Sequence, residues 1–228
     1  LNGHYYDIYK FTPTGLAPVS VMNLLSLSPT FGRINVDANT PYGIAIIWAT
    51  PGVGVNVKAA TLPGAVFGPN VFIPGSNNYK DPDVCINRYT GNLALQMVYL
   101  SNANNAIVER KLDFFTAAAG SSAGIITESS AGTINTYGVP RIDCPDGFAV
   151  QKWAYVFSDY NYTGGIVTER IYAMVHNTTW SAVPTIVLVR MSTYPSTGFQ
   201  PNNPVVAYDA NATRITVGWI TRNSTAVI

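Results

Sequence analysis

Charged side chains are scarce in this chain. Asp, Glu, Lys and Arg supply 11% of its 228 residues, less than half of the roughly 25% in ordinary soluble domains. Thirteen Lys and Arg against twelve Asp and Glu leave a net charge of +1, so there is no basic footprint for nucleic acid or an anionic membrane. Histidine occurs only at His4 and His176. With no Cys/His constellation around either, no metal site is expected. No window approaches the ~18 uninterrupted apolar residues of a membrane helix, so no membrane span is expected. No segment carries a sustained apolar stripe of period 3.6, and helix should be nearly absent. Gly-x-Ser-x-Gly is missing, no His is placed to serve a Ser or Cys, and no Gly-rich loop opens a helix. Catalytic residues and cofactors are therefore expected to be none.

What is present is a repeat. Four copies begin near Gly32, Pro82, Pro140 and Pro204. Each opens on an apolar run: Arg33–Asp37, Asp83–Asn87, Arg141–Cys144 and Val205–Asp209. A short polar or Gly turn follows. Then comes a second run ending in large side chains: Ile44–Trp48, Leu93–Tyr99, Phe148–Tyr155 and Ile215–Trp219. Gly32 to Trp48, Pro82 to Val98 and Pro140 to Val156 span the same sixteen positions. A register held that closely marks a repeated supersecondary unit with variable loops. Third strands are expected at Val55–Ala60, Ala106–Leu112 and Gly165–Tyr172, and weaker fourth strands at Ala65–Ile73, Gly124–Glu128 and Thr185–Met191.

Four-stranded units of this length joined end to end describe the blades of a β-propeller. The expected fold is all-β: one propeller-like domain over 1–228, with about four four-stranded blades. A β-sandwich is the alternative, although it would not require one offset in four successive copies. An N-terminal strand over 4–11 is expected either to complete the last blade and fasten a ring, or to belong to one stretch of a longer propeller. The best copies are Pro82-Asp83-Val84 with Gly91-Asn92-Leu93 and Ile107–Leu112, and Pro204-Val205-Val206 with Asp209 and Trp219. They resemble a Pro-x-Val…Asp…Gly-Asn…Trp…Arg-x-Leu blade that recurs in secreted and surface proteins of bacteria. The resemblance covers nearly all of the chain from Gly32 on and implies a fold rather than an activity.

The two cysteines follow their prolines by three and four positions. In a strand of period 2 that difference puts Cys85 and Cys144 on opposite faces. They also belong to different repeats, where Cα atoms are not expected within the roughly 7 Å a bridge needs. Two buried free thiols, and no disulfide, are the expectation.

The acidic residues are nine Asp and three Glu. Glu109 and Glu169 hold equivalent third-strand positions, and Asp37 and Asp209 equivalent positions after a first strand, where a carboxylate caps backbone N–H groups. All four are expected to be structural. Asp143, which has no repeat counterpart, and Asp146 flank Cys144 and Pro145 and are the least explained acids. Asp143 with a second acid is the candidate for an enzyme of the glycosidase class, which needs two converging carboxylates. Binding is the stronger expectation. Asp159-Tyr160-Asn161-Tyr162, in an expected loop over Ser158–Gly165, combines aromatics, an amide and a carboxylate. Together with Tyr137 and Tyr79 in loops between repeats, it suits a protein partner or a glycan. The four Asn-x-Ser/Thr triplets, at Asn161, Asn177, Asn211 and Asn223, are about as many as random placement yields. The low-charge, Asn/Thr/Tyr-rich texture favours an extracellular or cell-surface module, as a subunit of a larger envelope assembly or a domain of a large surface protein.

Overall fold

The computed structural model describes residues 5–12, 15–23, 34–39, 42–50, 52–62, 66–77, 79–89, 92–101, 106–131, 138–145, 152–176, 185–197, 202–209 and 212–220, with only the backbone at 5–23, 89 and 127–131. The chain is all-β. Its single helix among the described residues is α1, the five residues Phe114–Ala118, capped by Asp113, whose carboxylate accepts from Thr116 N–H. No described helix is long and apolar enough to cross a membrane.

Three four-stranded antiparallel sheets follow one another along the chain, each an up-and-down meander. Sheet 1 is β3 (Ile34–Asn39), β4 (Gly43–Thr50), β5 (Gly54–Thr61) and β6 (Val71–Phe72). Sheet 2 is β7 (Tyr79–Tyr89), β8 (Asn92–Ser101), β9 (Ala106–Asp113) and β10 (Ile126–Ala131). Sheet 3 is β11 (Arg141–Asp143), β12 (Trp153–Thr163), β13 (Ile166–His176) and β14 (Thr185–Pro195). A pair, β15 (Val205–Tyr208) with β16 (Ile215–Gly218), opens a fourth unit. A separate hairpin pairs β1 (Tyr5–Thr12) with β2 (Gly15–Asn23). All four expected first strands, and the third strands, are present. The fourth strands vary most, from two residues in β6 to eleven in β14.

The sheets stack face to face in chain order. Ala45, Ile47, Val55 and Val57 of sheet 1 pack with Leu95, Met97, Tyr99 and Val108 of sheet 2 in one core. On the other side of sheet 2, Cys85, Val98, Leu100 and Ile107 pack with Trp153, Tyr155, Phe157 and Met174 of sheet 3 in a second. Because alternate side chains take opposite faces, a strand buried on both sides is apolar at most positions on each face. β8 reads Leu-Ala-Leu-Gln-Met-Val-Tyr-Leu and is buried from Leu93 to Ser101. Trp48, Tyr99 and Tyr155 are all wholly buried. Tyr99 faces sheet 1 and Tyr155 faces sheet 2, while Trp48 lies on the face of sheet 1 away from sheet 2. Each therefore points toward the preceding side. Trp219 departs from the pattern: it follows β16 and is 40% exposed.

The first strands of the three four-stranded sheets depart from expectation, because one face of each is polar. Asn35, Asp37 and Asn39 of β3 reach Pro82 C=O, Ile86 N–H and Ile86 C=O of β7. Asp83 and Asn87 of β7 reach Ile142 N–H and Lys152 C=O, and Asp143 of β11 accepts from Tyr208 N–H of β15 at 2.6 Å. An edge strand presents unpaired backbone groups. Here a carboxylate from the preceding sheet satisfies one such N–H at each of three successive junctions.

The cysteine expectation is overturned. Cys85 and Cys144 form a disulfide, with Cα atoms 5.6 Å apart. Cys85 lies on the face of sheet 2 that looks at sheet 3, and Cys144 sits just past β11 in the same core. Opposite faces are what two stacked sheets need in order to meet, so the face difference favours a bridge. The assumption that neighbouring repeats lie too far apart fails because their first strands converge.

Candidate functional site

β12 and β13 form a long hairpin, eleven residues a side, against eight in β4 and β5. They continue through the segment expected to be a loop, and only Gly164-Gly165 turns the chain. Both glycines have positive φ, +58° and +78°, the two-residue turn whose twist suits a hairpin and which demands glycine-like freedom. β14 runs alongside for its whole length.

This conversion of loop to strand divides the expected binding cluster. Asp159 and Asn161 point to the face that looks at sheet 2, as Phe157 does, whereas Tyr160 and Tyr162 point to the other. Asp159 is buried at 1% exposure and its carboxylate meets Arg170 Nη2 at 2.5 Å. Burial raises the Asp159 carboxyl above its ordinary range, and the Arg170 charge and hydrogen bond pull it partly back. Tyr160 is also buried, and burial pushes its hydroxyl up to about 12. Its ring meets that of Tyr162 edge-on at 6.2 Å. Tyr162 and Asn161 are exposed. Tyr79 does not join them: it packs on the core between sheets 1 and 2, stacked 4.8 Å from Tyr99. Tyr137 lies outside the described residues.

Arg190, which no sequence motif marks, joins Tyr194, expected in a loop between repeats, and Trp219, the end of the fourth repeat's second run, in completing the exposed aromatic face. Register places Tyr162 opposite Val167, and Val167 opposite Tyr194. Val167 is fully buried between them. Arg190, four pairs further down β14 on the same face, donates from Nε to Ser192 Oγ at 2.8 Å and lies 5.7 Å over the Trp219 ring. Only the pairing across three strands brings these residues together; the signal in sequence is no more than the polar-aromatic alternation Arg190-x-Ser192-x-Tyr194.

Glu109, Glu169, Asp209 and Asp143 are occupied in holding the fold. Glu109, wholly buried, accepts from the Trp153 indole and pairs with His176 Nε2 at 3.1 Å, joining sheets 2 and 3. Glu169 accepts from both Asn202 N–H and Asn202 Nδ2. Asp209 caps its own turn through Thr213 and Arg214, and those hydrogen bonds hold its carboxyl below the usual range. Asp143 does have counterparts after all, in Asp37 and Asp83. Asp146 lies outside the described residues. Among the described residues no group of three or more His, Cys, Asp or Glu could hold a metal ion.

No protein-family model matches the chain, and no curated protein matches it.

Proposed function

We propose that this chain is a non-enzymatic, secreted or surface-displayed β-propeller module that binds a macromolecular partner, as a subunit of a cell-envelope assembly or a domain of a larger surface protein. In this reading the three sheets are blades. β15 and β16 begin a fourth, which the β1–β2 hairpin completes or a longer propeller continues. The stacking in chain order and the carboxylate link at each junction support it. The disulfide supports an oxidising compartment, since bridges persist outside the reducing cytosol.

The observation that carries the binding role is the exposed aromatic face at the free end of sheet 3. Tyr162 is 54% and Trp219 40% exposed, with Tyr194 and Arg190 on the same face. Tyr, Trp and Arg are the residues most enriched among interface hot spots. The glycosidase alternative loses its lead acid, because Asp143 is bound to a backbone N–H.

The test is capture from native envelope extracts with wild-type protein and with the Tyr162→Ala/Tyr194→Ala variant. A stoichiometric partner retained by wild type and lost by the variant is expected. Equal retention by both, or glycoside hydrolysis that Asp143→Asn abolishes, would overturn the reading.

A further inference from the structure

The opposite face of the same strands carries a second set of groups. Register places Asp159, Arg170 and Met191 in one cross-strand row, then Asn161, Thr168 and Thr193, then Thr163, Ile166 and Pro195. Alternation puts all three rows on the face that looks toward sheet 2.

In the innermost row the Asp159 carboxylate cancels the charge of Arg170 and orients its guanidinium, while the Arg170 side chain remains 34% exposed. The pair is incompletely satisfied, because among the described residues Asp159 Oδ1 and Arg170 Nε have no hydrogen-bond partner. A buried polar group left this way is costly, and residues that accept such a cost are often functional. Directly outward lies the row of an amide and two hydroxyls, with Asn161 and Thr193 exposed. Beyond it Ile166 and Pro195, with Gly165, Thr193 and Tyr194, line a shallow depression.

We infer that this face binds an uncharged saccharide, an inference that rests on the reading of sheet 3 as the binding element. The row is electrically neutral, which favours a neutral ligand over an acidic one. An amide and two hydroxyls offer donors and acceptors at once, as sugar hydroxyls require. Strands ~4.8 Å apart set those groups at intervals comparable to the width of a sugar ring. Ile166 and Pro195 supply apolar contact for the C–H face of the ring. Asp159 acts as a positioning residue, holding Arg170 so that its free edge meets a ligand hydroxyl.

The experiment uses the full chain on a printed array of neutral and acidic oligosaccharides, followed by calorimetric titration of the strongest neutral binder. Binding to neutral glycans is expected. Asn161→Ala and Thr193→Val should each weaken it at least tenfold, and Ile186→Thr, at the far end of β14, should change it less than twofold. All three positions are exposed, and unaltered melting curves would confirm folding. Binding confined to acidic glycans, or lost in Tyr162→Ala but kept in Asn161→Ala, would overturn the inference. Absence of glycan binding alongside a protein partner that depends on Tyr162 would overturn it and leave the proposed function standing. Absence of both would remove the two together.

Discussion

β8 and β14 are near equals in sequence and opposites in the fold. Asn92–Ser101 and Thr185–Pro195 are both long, apolar and rich in residues that favour strands. β8 is buried at all but its first position, whereas β14 is exposed or half-exposed throughout, with Ile186 at 61% and Leu188 at 50%. β8 sits second in a sheet that has a neighbouring sheet on each face; β14 is the outer edge of sheet 3. Hydrophobicity specifies that a strand can be buried. Its place in the stack decides whether it is.

The sharpest break in the buried half is at Trp153. Trp153→Ala removes a fully buried ring stacked 4.2 Å from His176 and takes a hydrogen bond from buried Glu109. Truncating a buried aromatic costs about 3–5 kcal/mol, and the upper end is expected here because a carboxylate is left under-satisfied. Denaturant unfolding measures it; a loss below about 2 kcal/mol would mean that sheets 2 and 3 are not packed as described.

The disulfide comes next. It links residues 59 apart in sequence, and closing a loop of that size stabilises by about 4 kcal/mol on the chain-entropy account. Cys85→Ala/Cys144→Ala should lose about that much by the same assay. Thiol titration of denatured, unreduced protein should find no free thiol, and finding two would remove the bridge.

Smaller effects test the junctions. Asp37→Ala or Asp143→Ala strands one backbone N–H, for a cost of about 1–3 kcal/mol each. Ile186→Thr, on open β14, should stay within about 0.5 kcal/mol. If Ile186→Thr costs as much as the junction changes, β14 is covered and the contrast with β8 fails.

The smallest effect is a pair of titrations with opposite signs. Asp159 is raised by burial, so its ionisation opposes folding, and its contribution to stability falls as pH rises through its folded-state titration. Asp209 is lowered by its turn hydrogen bonds, so its contribution is present above the unfolded-state titration and is lost as pH falls through the folded one. Carboxyl-detected NMR should place Asp159 above the ordinary Asp value of 3.8 and Asp209 below it. The reverse order would contradict the burial of one and the turn of the other.

The repeat made the strand order legible before any coordinates, because period-2 apolar runs between Gly and Pro turns have few alternatives. The structural roles of Asp37, Asp209, Glu109 and Glu169 were legible for the same reason: recurrence at one position marks a scaffold. Even there the partner differed from expectation. Asp209 caps its own turn, while Asp37 reaches 49 residues ahead to Ile86.

Three outcomes belonged to the tertiary structure alone. Whether Cys85 and Cys144 meet depends on the closeness of first strands in adjacent sheets, a distance between units that no pattern within a unit encodes. The segment Ser158–Thr163 reads as a polar turn, yet it is strand because β13 and β14 pair alongside it, and Asp159 and Tyr160 are buried as a result. Tyr162, Tyr194, Arg190 and Trp219 form one face only through pairing across strands and contact with the next unit. Local propensity and periodicity set which residues alternate along each strand of this protein; which of the two faces meets a neighbour is settled by how the sheets stack.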